Sequence, residues 1–544
     1  MRGYGFVLLL ALVSLVTFGS ICSDESHGEV GESFEEGIFT FEVIGLDKVR
    51  VIGYAYGESG DLIIPESVTH VDEFGISATY IVTSIGENLY FMDDSDYRIT
   101  SIHIPASIVE IQAGALSFVQ LESITVDSLN GTFETYGEIL YNKSTKSIVR
   151  YCSGSATTVY EIPDWIIGLE AHSFRNSINL VEIKNLPDSM KAIEEFTFQG
   201  CSSLSKINYD PAKGQNILPD SILYIGNSAF TFCDGLVGIS LPVSLVMIDS
   251  YAFAHSEGLK TIDIPAGIKY LGTHLFYATH SLESITVSPD NDSYFSQDGV
   301  LFGKNGNSNT TTLIHYPSKK TDVKYTMPFN VNSISEGAFS NIVYLKEVVV
   351  NDLFVTIPKN SFSQAISLEK VTIPSTTILI GASAFSECSN LTTIIGGESV
   401  VVIGSWAFSN TNLSSLFFPS GVKTIENNAF SGCMALEHIT IPNTDTYLAE
   451  GVFQSCFNLK SITFEGTSTK LDTGTLSIGD EDHPVTLTVN YHDGLSIPSD
   501  VCYDGYTELD LVEIGKEPYP WENLIGVFVC ILIVFGIFRL FKEV

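Results

Sequence analysis

The chain has 544 residues, 44% hydrophobic and 17% charged, which is more apolar material than one compact core usually holds, so its interior must be divided or must grow in one dimension. Its 64 acidic residues against 27 basic ones leave a formal charge of -37, a field that repels phosphate backbones and anionic headgroups and excludes nucleic acid as a partner.

At the N-terminus Arg2 precedes the apolar run Phe6 to Phe18, too short to span a bilayer, and small residues follow at Gly19, Ser20 and Cys22. This is the pattern of a secretory signal peptide, placed at 1–22. Residues 23–60 then read as an N-terminal cap over the first edge of a repeat array.

Residues 61–465 carry the repeat. A small or apolar residue followed by Phe, most often Ala-Phe, recurs at Phe230, Phe253, Phe276, Phe339, Phe362, Phe385, Phe408, Phe430 and Phe453, at spacings of 23, 23, 63, 23, 23, 23, 22 and 23. A fixed period of this length belongs to stacked repeats that share one elongated core. One unit reads Leu-x-x-Ile-x-Ile-Pro, an apolar pair, then a short turn into Ala-Phe-x-x-Cys, as from Leu368 to Pro374 and on to Phe385. The fourth and sixth residues alternate with polar ones, the period of a half-buried strand, and helical periodicity is nearly absent. The expected fold is therefore a mainly β solenoid with parallel stacked strands.

The pattern resembles the BspA-like, or Treponema-type, leucine-rich-repeat family of surface proteins, over roughly residues 40 to 465. That family carries hairpin inserts between repeats, and two irregular stretches match them. Gly137-Glu138-Ile139-Leu140-Tyr141 and Asp298-Gly299-Val300-Leu301-Phe302 open segments that end near Pro163 and Pro328, placing inserts near 125–163 and 286–328. They explain the interval of 63 before Phe339. The resemblance implies adhesion and surface display, with an extracellular protein or a cell-surface or matrix ligand as partner.

If the fourth and sixth strand residues point inward, the third and fifth stack into outward columns. The fifth-position column turns apolar where Val349, Thr372, Ile395 and Phe417 follow one another, a candidate ligand-binding stripe with Phe417 as its anchor. Six Asn-x-Ser/Thr sequons, at Asn130, Asn142, Asn291, Asn309, Asn390 and Asn412, are glycosylation candidates. Cys201, Cys233, Cys388, Cys433 and Cys456 sit three residues after the repeat Phe, where a small buried side chain fills one corner of each unit.

Residues 466–520 lose the period and read as a C-terminal cap and juxtamembrane stalk. Leu524 to Phe538 is unbroken apolar sequence, and 521–541 as a helix would measure about 31 Å, the thickness of the hydrocarbon layer. Arg539 and Lys542 follow it, so the sequence predicts a C-terminal transmembrane helix at 521–541, a cytoplasmic tail at 542–544 and a single-pass type I plasma-membrane protein with its repeats outside. A glycolipid-anchor signal is the rival, but such signals end in their apolar tail.

Signatures of chemistry fail one by one. There is no Gly-x-Ser-x-Gly and no His-Glu-x-x-His, and Gly299 to Lys304 lacks the spacing of a phosphate loop and has Asn305 where Ser or Thr is required. Asp290-Asn291-Asp292 begins like a calcium loop but places Tyr294 and Phe295 where a ligand and a Gly belong. The expectation is a non-enzymatic binding protein with no cofactor, metal or small-molecule substrate. The alternative is an acidic, glycosylated structural coat without a dedicated ligand.

Overall fold

The computed structural model describes residues 30–55, 60–72, 74–87, 99–306, 309–415, 421–442, 445–502 and 505–514. The chain divides into two compact units, one of residues 1–155 with 170–177, the other of 156–169 with 178–544.

The first unit opens with antiparallel strands Ser33–Glu36, Phe39–Gly45 and Lys48–Tyr54. Phe39, Phe41 and Val43 alternate with Thr40 and Glu42, so one face of the second strand is buried and the other is wetter. The third strand then pairs in parallel with Ser77–Ile85. A separate parallel sheet of Gly60–Ile63, Ile99–Ile104 and Ser123–Val126 shares the same core. A hairpin of Phe133–Tyr136 with Ile139–Asn142 follows, and Ser147–Tyr151 pairs on its second strand.

The second unit is built from coils. Most contribute one strand to the parallel sheets of a first face, such as Lys324–Thr326, Glu347–Val349, Lys370–Ile373 and Thr393–Gly396. Each then contributes a two-residue strand to a second sheet, such as Thr356–Ile357, Leu379–Ile380, Val402–Ile403, Thr424–Ile425, Tyr447–Leu448 and Lys470–Leu471. The Ala-Phe turn closes the coil. Its Phe rings stack from coil to coil with centroids 4.9 Å apart for Phe339 and Phe362, 5.0 Å for Phe362 and Phe385, and 5.2 Å for Phe385 and Phe408. Burying such a ring is worth about 1.5–3 kcal/mol, and a well-placed ring pair adds about 0.5–1.5 kcal/mol.

The turn is also a hydrogen-bond ladder. The amides of Phe362, Phe385 and Phe408 each donate to the carbonyl of the residue before the next ring, at 2.8 Å. Residues two before and two after the ring are left-handed, as at Ser383 and Glu387 around Phe385 or Trp406 and Asn410 around Phe408. That alternation sends the ring inward while its amide faces the neighbouring coil. Most of these positions hold side chains other than Gly, each of which carries a backbone cost of about 1–2 kcal/mol that the stacked interior offsets. Gly337 occupies the same position before Phe339 without that cost.

One part of the expected architecture is corrected. The fold is β throughout, with no α-helix among the described residues, because every coil is consumed by two extended runs and a tight turn. No helix there is long and apolar enough to cross a membrane, so neither the solenoid-plus-transmembrane-helix fold nor the single-pass type I plasma-membrane placement is supported. The segments 1–22, 521–541 and 542–544 themselves lie outside the described residues.

Candidate interaction surface

On the first sheet, Glu347 is paired with Lys370, Val349 with Thr372, and Thr372 with Ile395. Val349, Thr372 and Ile395 therefore form one outward column. Val349 and Thr372 are half-buried and Ile395 is 46% exposed, whereas Phe417 lies outside the described residues. Beside this column runs a ladder of ion pairs. Glu347 bridges Lys324 at 3.1 Å and Lys370 at 3.3 Å, and Lys346 meets Glu369 at 2.6 Å. Hydrogen bonds from Lys324 and Lys370 hold the Glu347 carboxyl below the usual range. These pairs are exposed and fix register more than they stabilise.

A second apolar column lies on the outer side of the second sheet. Val355, Ile378 and Val401 immediately precede the two-residue strands, and each is linked to the next by a 2.8 Å backbone hydrogen bond. All three are exposed, Val355 by 51%, while Leu379 and Val402 beside them are half-buried. The column stops at Lys423, whose amide donates to Val401. At the corner between the two sheets, Leu353 is about half exposed, and one coil earlier Phe329 is 87% exposed. The two corner loops are tied together by the Asn351 amide, which donates to the carbonyls of Pro328 at 2.7 Å and Val331 at 2.6 Å.

This column does not emerge from an alternation pattern, because a two-residue strand is too short to show one. The signal available was surplus: Ile378-Leu379-Ile380 and Val401-Val402-Ile403 hold more apolar residues than a strand buried on one side requires. Phe329 was hidden by Pro328, which reads as the end of an insert.

The sequons fall into two groups. Asn130 and Asn291 are buried and play identical structural parts. The Asn130 amide donates to the carbonyls of Pro105 and Ile108 at 2.8 and 3.0 Å, and the Asn291 amide to those of Pro265 and Ile268 at 2.9 and 3.1 Å. Lys143 and Lys304 donate at 2.7 Å to the backbone carbonyls of these two asparagines. Asn142 is half-buried at the end of its hairpin strand, and Asn309, Asn390 and Asn412 are exposed.

The repeat cysteines are buried free thiols that act as donors. Cys233, Cys388, Cys433 and Cys456 point to the Phe carbonyl of the preceding coil at 3.0 to 3.1 Å, and Ser256 and Thr279 make the same bond in their coils at 2.6 and 2.8 Å. Burial raises the Cys388 thiol well above its ordinary range, which leaves it protonated and inert. Among the described residues no group of three His, Cys, Asp or Glu side chains is placed to hold a metal ion. A cleft of about 330 Å³ is lined by Ile373, Val400, Phe408, Leu413 and Phe430. Its walls are core positions of the coils.

The match to a family of repeats agrees with this geometry. The profile of the BspA type leucine rich repeat region matches residues 61–146, 146–217, 213–301, 318–376 and 355–477. Among solved structures, a leucine rich cell surface protein from Faecalibacterium prausnitzii is 24% identical, covering 80% of this chain and 95% of its own, with a TM-score of 0.46. The pneumococcal vaccine antigen PcpA is 23% identical over 90% of this chain and 100% of its own, with a TM-score of 0.42. A leucine-rich repeat protein from Bacteroides ovatus is 21% identical over 88% and 99%, with a TM-score of 0.35. No curated protein matches. With the repeat profile covering most of the chain and the coils in register behind it, this protein belongs to the BspA-type leucine-rich-repeat family.

Proposed function

We propose that the protein is a surface-associated binding scaffold that mediates adhesion by holding other proteins against the faces of its coils. The observation that supports this most directly is the exposed aliphatic side chains aligned over successive coils, on a chain whose charge otherwise keeps it solvated. Val349, Thr372, Ile395 and Phe417 are the contact column proposed for the first sheet. Asn142, Asn309 and Asn412 are the sequons whose positions suit glycans; Asn130 and Asn291 spend their amides on the fold, and the exposed Asn390 donates its amide to the Ile366 carbonyl at 2.7 Å.

The test is saturable binding of the full chain to intact cells and to a panel of matrix proteins, with Ile395→Asp and Phe417→Asp alongside. An adhesin that uses this column loses about tenfold or more in affinity while its circular dichroism is unchanged. A passive coat shows no saturable binding in any version.

A further inference from the structure

We propose that the corner formed by Phe329, Leu353, Val355, Ile378 and Val401 docks a cationic amphipathic segment of a partner protein, apolar on one side and rich in Lys or Arg on the other. This rests on the reading of the chain as a binding scaffold and names the chemistry of what it holds.

Among the described residues no element covers these apolar side chains. Phe329 is 87% exposed on a loop fastened to its neighbour by Asn351, so the ring is presented by a braced backbone. The aliphatic column begins one coil on, at the position that Asn332 holds after the Phe329 loop, and is held at strand spacing by Ile378 donating to Val355 and Val401 donating to Ile378. A large ring beside rigid branched aliphatics is the composition of an interface anchor.

Charge selects the occupant. In these coils Lys320, Lys324, Lys346, Lys359 and Lys370 are each ion-paired, to Asp322, Glu347, Glu369, Glu336 and Glu347. Asp352 and Glu398 stand exposed at corner positions two coils apart, with no cation among those pairs. These five lysines are thus neutralised, and two carboxylates remain beside the apolar corner in a molecule of net charge -37. A second copy of this chain would bring the same sign of charge and be repelled, and so would an anionic lipid surface; a basic segment is drawn in and satisfies both carboxylates. Lys423 closes the far end of the column.

The experiment uses the full chain and three synthetic peptides as probes: alternating Lys and Leu, alternating Glu and Leu, and alternating Lys and Ser. The Lys-Leu peptide is expected to bind saturably and more weakly as ionic strength rises, with the other two at least about tenfold weaker. Phe329→Ser and Ile378→Ser should each reduce Lys-Leu affinity about tenfold, as should Asp352→Asn combined with Glu398→Gln. Neutralising two exposed acids at other corners, Asp188→Asn with Asp220→Asn, should change it less than about twofold. Equal losses from both double neutralisations would overturn the proposal, leaving only a general field effect. Concentration-dependent dimerisation abolished by Ile378→Asp would overturn it in favour of a second copy. Absence of Lys-Leu binding from a chain that still binds cells or matrix proteins would sink this inference and leave the scaffold reading standing; absence of both would remove the two together.

Discussion

The regular coils and the coil interrupted by the second hairpin solve one packing problem with different residues. From Phe339 to Phe453 a small or aliphatic residue precedes each ring, and every ring is fully or nearly fully buried. In the interrupted coil His315 and Tyr316 hold those places. Tyr316 stacks on Phe339 at 5.1 Å and its amide donates to Ala338 at 2.8 Å, the bond that a Phe makes elsewhere. Its hydroxyl is carried by Asp322 at 2.9 Å. The first unit repeats this solution by itself, with Arg150 and Tyr151 before Phe174, the Tyr151 ring 5.1 Å from Phe174 and its hydroxyl on Glu138. An insert therefore does not break the ring column. It substitutes a tyrosine for the phenylalanine and puts a buried ionisable residue where alanine usually stands.

The sharpest way to break this comparison is to remove a ring from the regular stretch. Phe385→Ala should destabilise by about 3–5 kcal/mol in urea unfolding, because neighbours on both sides are held in register and cannot collapse into the space. A loss below about 1 kcal/mol would mean that the ring column is not what the coils are built on.

A second prediction separates the two kinds of coil by pH. Burial without a charged partner pushes the His315 imidazole down to about 3, from an ordinary value near 6.5. The folded state thus holds it neutral, while the unfolded chain takes up a proton below about 6.5, so the contribution is intact above that pH and drains away as pH falls toward about 3. His315→Ala restores the regular pattern. It should lower stability at neutral pH by leaving a gap, yet flatten the fall in unfolding midpoint between about pH 6.5 and 4. Parallel pH profiles for the two proteins would remove His315 as the cause.

The smallest effect concerns the donor at the turn. Cys433→Ser should change stability by less than about 1 kcal/mol, since Ser256 already makes the same bond in its own coil. Cys433→Ala removes one of the two donors to the Phe408 carbonyl, with the Thr411 hydroxyl remaining at 2.9 Å, and should cost about 0.5–1.5 kcal/mol more than Cys433→Ser. If both substitutions cost the same, the corner is selected for volume alone.

Much of this was legible because a fully buried ring in every coil leaves a period that nothing on the surface can blur. The interval of 63 was harder. Tyr316 stands 23 residues before Phe339, and Tyr151 stands 23 before Phe174, but neither follows an alanine, so the Ala-Phe pair passed over them. The column Val349, Thr372 and Ile395 could be read from strand alternation, whereas Val355, Ile378 and Val401 could not, because their strands give no period to follow. Asn130 and Asn291 carry sequons that identify a glycan acceptor by three residues, while their burial is decided by loops some 25 residues away. The apolar run at 524–538 speaks only through hydropathy, and it lies outside the described residues.

Because each strand and each turn pairs with its counterpart one period along, the two ends of any regular 23-residue block expose the same bonding pattern. Deleting or duplicating such a block rejoins compatible partners and changes reach by about 4.8 Å. Tandem gene rearrangement could therefore shorten or lengthen this molecule in uniform steps without any compensating substitution, making the distance at which it presents a contact heritable by copy number.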